Sequence, residues 1–126
     1  MTVSETVRLT KLRLEPIAKE ESQQQAKLLV AAVIGADASA LSVHSWMELN
    51  EEQLRILGEW IERREKGEPL QYILGEWEFM GLPFTVDERV LIPRQETELL
   101  CETALERIHN YGYRDVLDLC TGSGCI

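Results

Sequence analysis

The sequence predicts an α-helical bundle followed by a β-hairpin and the opening strand of a doubly wound α/β domain. Three observations carry that reading. Residues 1–66 place apolar positions at helical spacing between helix-stopping glycines. Residues 76–86 alternate on either side of a Gly/Pro turn. Residues 115–119 form an apolar run that enters a small-residue loop, Cys120 to Gly124. The implied organisation is a helical domain over 1–75, then a hairpin linker and the beginning of a second domain over 76–126.

The first helix has Val7, Leu12, Leu14 and Ile17 as its apolar positions, and Pro16 is expected to kink or split it. Over 22–34, Leu28, Leu29, Ala32 and Val33 make a stripe broadened by Val30, Ala31 and Ile34, and Gly35 stops the helix. A short helix is expected around Ala38 to His44. The next helix is the best delimited: Asn50 is a good N-cap with Gln53 as its capping-box partner. Leu54, Leu57, Trp60 and Ile61 form its buried stripe. Arg63, Arg64 and Lys66 suit its C-terminal dipole, and Gly67 ends it.

From Gly67 the texture changes. Glu76-Trp77-Glu78-Phe79 alternates, Met80-Gly81-Leu82-Pro83 makes a turn, and Phe84-Thr85-Val86 resumes. Val90 to Pro93 reads as extended, since proline disfavours helix at Ile92. Thr97 to His109 is helical with Leu100, Thr103, Ala104 and Ile108 on one face, and Asn110 and Gly112 break it. Asp115 to Leu119 then reads as a buried strand.

The composition, 44% hydrophobic and 28% charged, is that of a soluble globular protein. No apolar run approaches the roughly 20 residues of a membrane helix, and the N-terminus lacks a signal-peptide layout, so no membrane association and a cytoplasmic location are expected. The formal charge is −9. Residues 1–75 hold 12 acids and 9 bases, and residues 76–126 hold 10 acids and 4 bases. Such a balance disfavours direct contact with a nucleic-acid backbone. Cys101, Cys120 and Cys125 form no Cys-x-x-Cys pair, so neither a disulfide framework nor a metal site is expected. His44 and His109 read as surface or capping residues.

Chemistry enters at the loop. Gly122 and Gly124 permit positive φ and keep a Cβ out of a ligand's way. Asp118, at the strand's end, offers a charge-assisted acceptor to a cationic ammonium group and would repel a pyrophosphate. A dinucleotide fingerprint needs a third glycine beyond the residues shown, no P-loop Gly-Lys-Ser/Thr follows within the visible chain, and a plain strand–turn remains open.

The wider pattern is more specific. Gly67-x-Pro69-x-x-Tyr72-x-x-Gly75 is followed by Phe79-x-Gly81-x-x-Phe84, then Leu91-Ile92-Pro93-Arg94-x-Glu96-Thr97-Glu98, then Asp118-Leu119-x-Thr121-Gly122-Ser123-Gly124-Cys125-Ile126. In this order the blocks closely resemble the HemK/PrmC family of peptide chain release factor glutamine methyltransferases. The resemblance is densest over 67–126, and the helical arrangement before it also fits. It implies methyl transfer from S-adenosyl-L-methionine, whose methionyl end carries an ammonium group, to the Gln of a release factor's Gly-Gly-Gln motif. It implies that the helical domain binds the release factor, and that the hairpin leads to a Rossmann-like class I methyltransferase domain. Carried over by residue, Cys120, Thr121, Gly122, Ser123 and Gly124 fall on the cofactor loop, and Asp118 on the acid at the strand end. Pro93, Arg94, Glu96 and Thr97 fall, with Ile92 and Glu98, on the signature beside the active site.

Two positions depart from the family pattern: Gln95 stands where Pro is frequent, and Cys120 where Gly is frequent. Arg94 is expected either to orient substrate or cofactor, or to pair with Glu96 or Glu98. Tyr72, Trp77, Phe79 and Phe84 read as hairpin packing. The family's catalytic Asn-Pro-Pro-Tyr segment does not occur in these residues, so no catalytic residue is assigned, and the chain alone, cut off inside its cofactor loop, is expected to be inactive. Its apolar strand at 116–119 has no partner strand and is expected to drive self-association. The alternatives are a nucleic-acid methyltransferase of the adenine-N6 type and a non-catalytic release-factor-binding module.

Overall fold

The computed structural model describes all 126 residues, which divide into two compact units, Met1–Leu74 and Gly75–Ile126. The first is helical. Helix α1 (Val3–Ala18) begins with a capping box that the apolar pattern does not reveal: the Thr2 hydroxyl accepts from the Glu5 N–H at 3.3 Å, and the Glu5 carboxylate accepts from the Thr2 N–H at 2.9 Å. The other amides of the first turn find partners in a strap that follows a 3-10 segment, Ala38–His44. Val3 donates to the Met47 carbonyl at 2.7 Å and Ser4 to that of Ser45 at 3.1 Å. No orphan donor is left at this helix start.

Pro16 does not break α1. It sits in the last turn, where only one backbone bond is lost, to the carbonyl of Leu12 on the solvent side. The split comes at Lys19 (φ +49) through a 3-10 turn, Lys19–Glu21, that leads into α2 (Ser22–Ile34). The buried face of α1 is Val3, Thr6, Thr10 and Leu14, at intervals of three and four. Leu12 and Ile17, two of its four apolar positions, are exposed. At Thr6 the hydroxyl is satisfied locally, donating to the Thr2 carbonyl at 2.7 Å.

The face of α2 is likewise rotated from the expected one. Ser22, Gln25, Ala26, Leu29 and Val30 are buried, Leu28 and Val33 half-buried, and Ala32 exposed. Gln25 is buried because it is partnered: its amide nitrogen donates to Glu21 at 3.2 Å, and its oxygen accepts from Arg64 Nε at 3.0 Å. Gly35 (φ +71) closes the helix, with Ala36 N–H donating to the Ala31 carbonyl and Gly35 N–H to that of Ala32, a Schellman arrangement.

Helix α3 (Glu51–Glu65) has the expected Asn50–Gln53 capping box, with bonds of 2.8 and 2.9 Å, and buries Leu57 and Ile61 with Leu54 and Trp60 partly covered. After Gly67 (φ +97) a short helix that the pattern did not disclose, α4 (Leu70–Leu74), adds Leu70 and Ile73 to the same core. Tyr72 lies on α4 and not in the hairpin. No single helix is long and apolar enough to cross a membrane.

In the second unit β1 (Glu76–Phe79) pairs antiparallel with β2 (Leu82–Thr85), matching Trp77 to Phe84 and Glu78 to Pro83. The turn is tighter than expected: Met80 (φ +51) and Gly81 (φ +75) alone make it, the positive-φ pair of a two-residue hairpin loop. Pro83 is therefore inside a strand, which a two-stranded ribbon tolerates because each strand is an edge. Phe79 and Phe84 meet edge to face at 6.3 Å. Helix α5 (Gln95–Tyr111) ends at Gly112 (φ +66). Its one buried residue is Cys101, whereas Leu100, Thr103 and Ala104 of the expected face are exposed and Ile108 is half-buried.

The expected strand over 115–119 is not formed. Val116, Leu117 and Leu119 are 71%, 79% and 75% exposed, and the hairpin is the sheet of this structure. A strand satisfies its backbone groups on a neighbour, and residues 1–126 offer none here. The fold seen is thus a helical bundle, a hairpin and one further helix, without the opening of an α/β sheet.

Candidate functional site

The signature segment is built around the entry to α5. Pro93 is buried and fixes the extended approach, so that Arg94 (φ −100, ψ 146) occupies the N-cap position. Arg94 supplies no side-chain cap; its carbonyl accepts from the Thr97 N–H at 3.0 Å. Its guanidinium lies 3.8 Å from Glu96 Oε1, with both side chains more than two-thirds exposed. In water such a pair contributes about 0–1 kcal/mol, so it orients Arg94 weakly and leaves its donors available. Glu98 serves the backbone instead. Its Oε1 accepts from the N–H of Met80 at 2.9 Å, binding the hairpin turn to the first turn of α5. Both glutamates also sit where the helix dipole favours a negative charge.

The loop has the backbone that a close ligand approach needs. Cys120 (φ +59), Gly122 (φ +58) and Gly124 (φ +78) are all left-handed, and Gly124 N–H donates to the Thr121 carbonyl at 2.9 Å. At Gly122 an added Cβ would meet only the Cys120 carbonyl, at 3.9 Å, and at Gly124 nothing, so conformation and not space calls for glycine here. Cys120 adopts the same region with a side chain, at a cost of roughly 1–2 kcal/mol, which is the physical content of its departure from the family pattern. Asp118, Cys120 and Thr121 are exposed and Ser123 is half-buried. Burial raises the thiol pKa of Cys101, with Cys125 and Asp118 adding to the rise.

The signature is set at the start of α5, and the loop follows the end of the same helix in the chain. An exposed carboxylate beside glycines of positive φ fits the ammonium end of an amino-acid-like ligand: Asp118 would hold the charge, and the backbone of Cys120 to Gly124 would border it. All three cysteines are free, and no group of three or more His, Cys, Asp or Glu is placed to hold a metal ion.

Comparison with known proteins bears on both units. Residues 5–75 match the model of the PrmC N-terminal domain, which covers more than half of the chain. The chain belongs to the PrmC N-terminal domain family. The likeness to the HemK/PrmC family read from the motif blocks is therefore correct. This PrmC chain is similar to proteins named release factor glutamine methyltransferase from Thermodesulfovibrio yellowstonii (46% identical over 106 residues), Geobacter sulfurreducens (44% over 107) and Clostridium botulinum (40% over 104). These matches cover 82%, 85% and 82% of this chain and 37% of each relative. The chain spans little more than a third of the length of those relatives. Helix α1 from Glu5 onward and helices α2 to α4 fall within the matched domain, and the Gly67–Gly75 block supplies core residues through Leu70 and Ile73.

Proposed function

We propose that the protein carrying this chain N5-methylates the Gln of the Gly-Gly-Gln motif in peptide chain release factors, using S-adenosyl-L-methionine. Membership of the PrmC family carries this reading, and the names of the similar proteins support its substrate class. The helical unit Met1–Leu74 is the release-factor-binding domain, and 76–126 begins the Rossmann-like class I methyltransferase domain. In the whole protein, residues 115–119 pair with further strands and the exposed Val116, Leu117 and Leu119 become buried; in the isolated chain they drive self-association.

When bound, the cofactor supplies an electrophilic methyl group. Asp118 accepts hydrogen bonds from its ammonium, and the backbone of Cys120 to Gly124 approaches it closely because Gly122 and Gly124 lack side chains. Arg94, held at the N-cap of α5 and only weakly paired, orients the substrate or cofactor. An amide nitrogen is a poor nucleophile because its lone pair is delocalised, so the reaction depends on holding it in line with the methyl. The Asn-Pro-Pro-Tyr segment to which the resemblance gives this role is not among these residues, and the 126-residue chain transfers no methyl group by itself. The acidic balance, −9 overall, favours a protein substrate over nucleic acid, and a cytoplasmic location is part of the same proposal.

Labelled S-adenosyl-L-methionine, a purified release factor, this chain and a full-length relative decide the matter. Label is expected on the Gly-Gly-Gln glutamine with the full-length protein alone, and Asp118→Ala grafted into it lowers kcat/KM at least about tenfold. Label on DNA or RNA in place of the release factor hands the case to the nucleic-acid reading. Transfer by the 126 residues alone overturns the assignment of catalysis to residues elsewhere.

A further inference from the structure

A groove of about 420 Å³ in the first unit lies among α1, α2 and the 3-10 segment Ala38–His44. Its walls bring together Arg8 and Lys11 of α1, Lys27 of α2, and the hydroxyls of Ser4, Ser39 and Ser42, and no Asp or Glu lines it. This is a marked segregation of charge, because acids outnumber bases 12 to 9 over residues 1–75. The cations are also unspent. Arg13, Arg55 and Arg63 are held by Glu65, by Glu52 and Glu59, and by Glu68, and Arg64 by Gln25. Arg8 and Lys27 make no ion pair, and Lys11 has only a solvent-exposed contact with Glu15 at 3.6 Å. The sequence does not single out these three, because they sit on two helices and form no run.

Ser45 lines the groove, and the residue after it in the chain, Trp46, is 76% exposed, as are Val43 and Met47 to a lesser degree. The first unit thus exposes two features of the kind that anchor protein partners, a large apolar face on Trp46 and charge-assisted donors in the groove.

We propose that this groove docks an acidic peptide segment of a partner protein, with carboxylates on Arg8, Lys11 and Lys27 and an apolar side chain on Trp46. Three clustered cations match two or three carboxylates. A nucleic acid would carry its negative charge on past the groove over a chain of net charge −9, and would be repelled along most of its length. The inference rests on the reading of Met1–Leu74 as a partner-binding unit and adds where a segment docks and by what chemistry; docking is read by binding and methyl transfer by label, so the failure of one is distinguishable from the failure of the other.

The test uses the 126-residue chain and a fluorescent twelve-residue peptide of alternating Glu and Leu, compared with the same peptide carrying Gln for Glu and with a single-stranded oligonucleotide of equal charge. Binding of the acidic peptide is expected, weakening as salt rises from 50 to 300 mM by roughly the screening of surface charges. It should fall at least about tenfold in the double variant Arg8→Glu/Lys27→Glu and severalfold in Trp46→Ala. All three side chains are exposed, so helix content and melting should stay at parental values. If the charge reversal disturbs α1, the neutral pair Arg8→Gln/Lys27→Gln carries the same comparison. Equal affinity for the Gln peptide, no response to the variants, or tighter binding of the oligonucleotide overturns the proposal.

Discussion

In Met1–Leu74 the side chains of Leu14, Ala26, Leu29 and Val30 are wholly excluded from water, whereas in Gly75–Ile126 Val116, Leu117 and Leu119 keep more than two-thirds of their surface exposed. The two regions have similarly apolar stretches, and the difference lies in what each kind of element needs. A helix closes its backbone hydrogen bonds within itself and asks its neighbours only for a face to bury. A strand leaves its N–H and C=O groups to the next strand. The helical unit can therefore be complete within 74 residues, while residues 115–119 cannot be a strand in isolation.

Hydrogen exchange gives the sharpest contrast. Amides of Leu29 and Val30 should be protected on the order of a thousandfold or more, and those of 115–119 should exchange near the rate of an open chain. Protection of 115–119 in a monomer would break the comparison. Next in size, Leu29→Ala should lower the stability of the first unit by about 2–5 kcal/mol in denaturant unfolding, through lost burial and the cavity left behind. Leu117→Ala should cost less than about 0.5 kcal/mol, since its side chain is already in water. Asn50→Ala removes one half of a capping box and should cost about 1 kcal/mol, again confined to the first unit.

The smallest effect concerns pH. Asp87 has its carboxyl pKa lowered to about 2 by the Arg89 guanidinium and backbone N–H in the turn after the hairpin. Because the folded value lies below the ordinary one of 3.8, the contribution is present above that ordinary value and is lost as pH falls through about 2. Both side chains are exposed, so a chemical-shift titration of Asp87 should show the low midpoint with little change in overall stability. An Arg89→Ala variant should return the midpoint toward 3.8.

What could be read from sequence follows the same division. The ends of helices were legible because caps are local chemistry: Asn50 with Gln53, Gly35 and Gly67 did what their types suggest. The faces of α1 and α2 were not, because counting apolar residues ranks Leu12 and Ala32 above Thr6, Thr10, Ser22 and Gln25. The buried set contains polar groups satisfied by a helix carbonyl or by Arg64, and that partnership exists only in three dimensions. Helix α4 is five residues long, too short for periodicity to reveal. At the candidate site, the blocks single out Asp118, the loop and Arg94, and the structure adds the left-handed backbone of Cys120, Gly122 and Gly124.

Glu98 shows a consequence of another kind. It stands in the same short block as Arg94 and Glu96, yet its carboxylate is taken up by the amide of Met80, so it links the tip of the hairpin to the root of α5. A recognisable motif is then a composite of unlike parts, a strut and an exposed, weakly held ion pair that share a line of sequence. Changes at Glu98 should therefore be felt as misalignment, and changes at Arg94 as lost contact, although the two residues lie only a helical turn apart.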